Sequence, residues 1–186
     1  MTKKRTNGAH SGSTVPKRFL DKLGSMHTAE KELTLALPLM AAAAESKDLK
    51  TLLKVHLKQT KGHVEALDKI ARHLDRELPM KACPPMRKLL AKGVKVMGKR
   101  LVSSDQDDAL IEVGRQIEEF EMNAYEQLCD TAETEGLTHE LALLTSVLHQ
   151  EEMAHELLDD LAAGKGPIDK LIQHASLERA GPSRRA

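Results

Sequence analysis

Four long segments of this chain repeat apolar residues at helical spacing, and each breaks its apolar stripe with side chains that have no place in a hydrocarbon core. In the last of them, Leu141, Leu144 and Leu148 lead into Gln150-Glu151-Glu152-Met153-Ala154-His155, and Leu158 and Leu161 follow. At about 100° per residue, His155 falls at the middle of that face, with Glu151 and Glu152 on either side of its centre. The second segment carries His56, Thr60 and His63 on the stripe of Leu49, Leu53, Leu67 and Leu74. The first carries Glu30 among Phe19, Leu23, Met26, Leu33 and Leu37, and the third carries Glu121 among Leu110, Val113, Ile117, Ala124 and Leu128. Glu118 and Tyr125 lie about a quarter-turn from the centre of that third stripe. Burying a polar group without compensation costs about 2–7 kcal/mol, and an isolated charge far more. Four such faces together point to a metal site inside a helical bundle.

Composition agrees with helices. The chain has 186 residues, enough for one domain with a substantial core. Apolar residues, mostly Leu and Ala, make up 40% and charged residues 30%, a mix that favours helix. With no Trp, one Tyr and two Phe, it lacks the aromatic supply of a sandwich or barrel. The expected fold class is all-α. The 28 basic and 28 acidic side chains cancel, which argues against nucleic acid or an anionic membrane as partner. No apolar run approaches the ~20 residues of a membrane span. The polar, basic start (Thr2-Lys3-Lys4-Arg5) has no apolar segment behind it and does not read as a secretory signal. Cys83 and Cys129 are too few for a disulfide framework and read as reduced thiols of a cytoplasmic protein.

Along the chain, residues 1–16 read as a disordered tail. A first helix, A, is expected from about residue 17 to 45, kinked or broken at Pro38. Helix B follows from Ser46 or Asp48 to about Leu78, where Gly62 would permit close approach of a neighbour. Pro79–Pro85 forms a loop. A short helix from Met86 to about Leu101 then carries Lys88, Lys92, Lys95, Lys99 and Arg100 as its solvated face. Ser103-Ser104-Asp105 caps helix C, about 106–135, and Gly136 stops it. Thr138 caps helix D, about 139–163. The bundle is thus expected over 17–163, followed by an extension, 164–186, with a helical fragment near Ile168–Ile172 and a loose end.

Two iron or manganese ions need hard oxygen ligands, a few imidazoles and several carboxylates to offset their charge. A four-helix bundle supplies these as one Glu from each of two helices and a Glu-x-x-His pair from each of the other two. The candidate ligands are Glu30, His56, His63, Glu118, Glu121, Glu151, Glu152 and His155. Glu152-x-x-His155 has the standard spacing, and Glu151 competes with Glu152 for the same role. Helix B departs from the pattern, because Thr60 stands three before His63 and threonine is a poor metal ligand. Either one bridging carboxylate is missing, or His56 or Glu65 replaces it.

These residues resemble the YciE/YciF group of ferritin-like proteins. The resemblance rests on Phe19-Leu20, Met26, Ala29-Glu30-Lys31, His56-Leu57, Thr60, Val64-Glu65, Glu118, Glu121 and Tyr125. The stretch Ala36-Leu37-Pro38-Leu39-Met40 is its most specific part, and it covers about 17–163. It implies a ferritin-like four-helix bundle with an additional short helix between helices B and C. It also implies a bacterial stress-response protein that forms a homodimer. In the wider rubrerythrin and bacterioferritin relatives the inward carboxylates and histidines hold two metal ions. By that likeness Glu118 matches an extra carboxylate, and His155 stands where many members of the group carry an acidic residue. The expected activity is on iron, peroxide or oxygen, with Tyr125 bonding a ligand or quenching a radical. The alternative is a non-enzymatic scaffold that keeps the fold with a degraded metal site.

Overall fold

The computed structural model describes residues 15–99 and 103–165. Residues 1–14 of the tail expected over 1–16, and the extension beyond 165, lie outside the described residues. Five helices account for most of the rest: α1 (Lys17–Ala43), α2 (Lys47–His73), α3 (Pro84–Met97), α4 (Ser103–Thr134) and α5 (Thr138–Ala162). Among the described residues there is no strand, and the chain is all-α.

Two helical hairpins, α1–α2 and α4–α5, make the most extensive contacts; α2 then packs on α5 and α1 on α4. This closes a four-helix bundle, and α3 lies outside it against α4 and α1. Each hairpin turn has a local cause. In the first, Ser46 caps α2 by accepting from the Leu49 N–H at 3.1 Å. The Asp107 carboxylate accepts from the backbone N–H groups of Glu45 and Ser46, both at 2.7 Å, and pins this turn to the start of α4. In the second, Gly136 adopts a φ of 67°, in the left-handed region that residues with a Cβ avoid. There Leu137 N–H reaches back to the Ala132 carbonyl, and Thr138, expected as the cap, is already the first residue of α5.

Several boundaries differ from the sequence reading, and α4 already begins at Ser103, so the expected caps Ser103-Ser104-Asp105 are its first helical residues. α1 runs through Pro38 without a break and ends at Ala43. Pro38 lies on the exposed side, so the hydrogen bond it removes is lost where water can replace it. α2 stops at His73, five residues early, because Asp75 turns the chain at a φ of 52° ahead of Pro79. α3 begins at Pro84 and Pro85, which occupy first-turn positions where a missing N–H costs nothing.

Phe19, Leu23, Met26, Leu33, Leu49, Leu67, Ile70, Leu110, Ile117, Leu128, Leu144 and Leu158 are among the buried side chains of one continuous core. Gly62 does not admit a neighbour, since nothing lies within 4 Å of where its Cβ would be. That role falls to Gly24 on α1, where an added Cβ would stand 2.1 Å from the Pro79 carbonyl oxygen. No described helix is long and apolar enough to cross a membrane, and both cysteines are free thiols.

Candidate metal centre

Half-way along the bundle the apolar core gives way to a polar interior. Glu30 (α1), His56 and His63 (α2), Glu118 and Glu121 (α4) and Glu151 (α5) are each no more than 3% exposed. Helical spacing explains why each helix can contribute more than one group. Glu118 and Glu121 are three apart and share a face, and His56 and His63 are seven apart, two turns along one stripe. One ligand atom each from His56, Glu118, Glu121 and Glu151 lie within 4.8 Å of one another, and so do those of Glu30, His63 and Glu151. Glu151 belongs to both sets.

His63 is the best-fixed member. Its Nδ1 lies 2.9 Å from Glu151 and 3.5 Å from Glu30, and its Nε2 lies 2.9 Å from Gln150 Oε1. Because an amide oxygen only accepts, Nε2 carries the proton of that bond and donates it. His56 Nε2 stands 3.3 Å from Glu118. The Tyr125 hydroxyl, fully buried, donates to Glu30. Thr60 turns its hydroxyl to the His56 carbonyl of its own helix, 2.9 Å away, so it is satisfied without facing the carboxylates.

Burial and mutual charge shift every titratable group of the cluster. Burial raises the Glu118 and Glu121 carboxyls well above the usual range, and the neighbouring carboxylates add to it. Glu30 is raised by burial against the pull of His63. Burial also acts on Glu151, but His63 and His56 outweigh it and hold its carboxyl low. His63 is held well above the ordinary imidazole value: burial opposes its charge, and Glu151 and Glu30 more than reverse that. His56, with burial dominant, is lowered. Burial and Glu30 push the Tyr125 phenol well up, so it stays a donor. Both oxygens of Glu121 are buried without a hydrogen-bond donor, whereas Glu151 has His63 Nδ1 at 2.9 Å. Four carboxylates facing two imidazoles, with oxygens left over, match the hard oxygen and nitrogen donor set of iron or manganese. On that chemistry the residues fit a pair of such ions, with Glu151 placed to serve both.

Two expected ligands are not in the cluster. Glu152 is half-exposed and pairs with His149 at 3.6 Å. His155 is 19% exposed and sits between Glu119 (3.6 Å) and Asp159 (3.5 Å). The cause is the register of α5. Its buried seam is Glu140, Leu144, Val147, Glu151, Ala154 and Leu158, in alternating steps of four and three. The stripe through Leu141, Leu148 and His155 flanks that seam and is only half-buried. The position three after Glu151 is therefore Ala154, and α5 brings no imidazole inward. The second imidazole comes from His56, while Glu65, the other replacement considered, is exposed. Gln150 was visible in the opening motif, but its contact with His63 across 87 positions has no local signature.

A four-helix bundle with a carboxylate and imidazole interior, and a short helix outside it, is a ferritin-like helical bundle. The chain belongs to the family described as "Domain of unknown function (DUF892)", which it matches over residues 14–169. It is 28% identical over 150 residues to Protein YciF of Escherichia coli K12, spanning 80% of this chain and 90% of that one. The crystal structure of the E. coli stress protein YciF matches it with a TM-score of 0.78 at 27% identity, over 82% of this chain and 96% of that one. YcfI from Rhodopseudomonas palustris matches with a TM-score of 0.74 at 25% identity, over 81% and 98% of the two chains.

Proposed function

We propose that the interior cluster holds two iron or manganese ions and that the protein acts on iron, peroxide or oxygen in a stress response, as the name of the E. coli stress protein YciF suggests. The observation that carries this reading is Glu151: a fully buried carboxylate shared by two sets of converging ligand atoms. In this reading Glu30, His63 and Glu151 hold one ion, and His56, Glu118, Glu121 and Glu151 the other. A bound pair would supply redox chemistry away from bulk water. The chain's own part is to exclude solvent, to hold His63 through Gln150 and to orient Glu30 through the Tyr125 hydroxyl. Tyr125 is then a positioning residue for Glu30. The test is elemental analysis of protein purified without chelator, with ferrous oxidation and peroxide consumption measured alongside. About two ions per chain, lost in Glu151→Ala, support the reading. No bound metal after incubation with Fe(II) or Mn(II), with activity indifferent to Glu151→Ala, overturns it.

One observation favours a scaffold instead. Thr60 and Ala154 occupy two positions where the paired Glu-x-x-His pattern would place ligands. YcfI carries a provisional description as a structural protein. A scaffold predicts that Glu121→Gln stabilises the protein, with no response to metal.

A further inference from the structure

Helix α3 is not part of the four-helix bundle, and between it and α4 lies an open cleft of about 700 Å³. That volume is in the range of small-molecule sites and far above what a water or single ion needs. The α3 wall carries Lys88, Lys92 and Lys95, at positions i, i+4 and i+7 and so on one face. Lys92 donates to Gln116 on the opposite wall at 2.8 Å. Lys88 and Lys95 have no ion-pair partner among the described residues. The one carboxylate lining the cleft, Glu119, already faces His155. The charge along the cleft is therefore positive on a molecule whose total is zero.

Between the charges the lining is apolar: Leu89, Ala91 and Phe120. Phe120 is an informative residue, because aromatics are scarce here. Phe19 and Tyr125 are buried to within 1%, whereas Phe120, packed against the core, is only partly buried and gives its remaining surface to this cleft. The stretch from Lys88 to Lys95 spans about 10 Å of helix, the reach of a short extended chain and much less than a protein interface.

We propose that the cleft binds a single-chain carboxylate amphiphile, its chain lying on Leu89, Ala91 and Phe120 and its carboxylate among Lys88, Lys92 and Lys95. The lysine stems cover apolar surface while their ammonium groups meet the anion. This site is separate from the interior cluster and does not depend on metal.

Calorimetric titration of the full chain with octanoate, 1-octanol and acetate separates chain from charge. Two variants locate the site: Ala91→Trp, which fills the cleft from an exposed position, and the triple change Lys88→Gln, Lys92→Gln, Lys95→Gln. Expected is saturable 1:1 octanoate binding, at least about tenfold tighter than octanol or acetate. The triple variant should bring octanoate down to the level of octanol and leave octanol unchanged. Ala91→Trp should abolish both, with the melting temperature of each variant unaltered. Octanoate binding no tighter than octanol, or binding that persists in Ala91→Trp, overturns the proposal. So does association with anionic phosphatidylglycerol vesicles without binding of monomeric octanoate, which would mark the lysines as a membrane-surface patch.

Discussion

At the scale of single residues, the interior carboxylates set the pH behaviour. Glu30, Glu118 and Glu121 have carboxyls raised in the folded state, and His63 is raised too. A group whose folded pKa exceeds its unfolded value contributes stability that is present below the unfolded pKa and lost as pH rises through the folded one. These four therefore act in the same direction. Glu151 and His56 are lowered and oppose them, but their contributions are complete above the ordinary glutamate and histidine ranges. Thermal melts of metal-free protein should thus show stability falling as pH rises above the ordinary histidine range, where His63 is still charged in the folded state. Glu121→Gln removes one buried acid and should flatten that fall, with a gain of about 1–3 kcal/mol at the alkaline end. A melting temperature independent of pH in the wild type would contradict this. Gln150 gives a second test. It orients His63 so that Nδ1 faces Glu151 and Glu30, and Gln150→Leu should weaken metal binding about 10–100-fold. Nitrogen NMR of His63 in the metal-free variant, at a pH alkaline enough to make the ring neutral, should show the preference for a protonated Nε2 lost. His155→Ala, by contrast, should leave metal binding unchanged, because the side chain sits between Glu119 and Asp159.

At the scale of elements, the approach of α1 to the α2–α3 loop at Gly24 has a sharp prediction. Gly24→Ala puts a methyl group into a backbone carbonyl, which cannot swing aside as a flexible side chain can. A loss of about 3 kcal/mol is expected in chemical denaturation. Gly62→Ala faces open space and should instead add about 1 kcal/mol, as alanine does in an exposed helix. The sequence pointed to the wrong glycine, for a physical reason. A break in helix propensity is local and visible at Gly62, whereas the Gly24 contact joins residues 55 positions apart. The same division applies to the candidate site. Glu30, His56, His63 and Glu121 were legible because each interrupts a stripe of leucines at unambiguous spacing. Helix α5 was not, because Leu141, Leu144 and Leu148 fit two neighbouring stripes equally well. Only packing against α2 and α4 selects the one through Glu151 and Ala154. The all-α class and the short extra helix followed from composition and from prolines at 79, 84 and 85.

For the whole molecule, any cation held in the interior should stabilise the folded chain over the unfolded one. At a hundredfold excess over its dissociation constant, the gain is about 2.7 kcal/mol. The gain should be larger at higher pH, because carboxyl protons must leave before a metal can be held. Differential scanning with Mn(II), which avoids oxidation during the scan, measures it, and an unchanged melting temperature would count against metal binding. The position of Glu151 adds a condition on how such binding proceeds. A carboxylate belonging to two ligand sets makes them one thermodynamic object: whatever the first cation does to Glu151, it does to the second cation's pocket as well. Linkage is reciprocal, so the two affinities are not independent constants, and a titration should deviate from two identical, independent steps. Shortening that one side chain, as in Glu151→Asp, should change the cooperativity itself as well as the strength of binding.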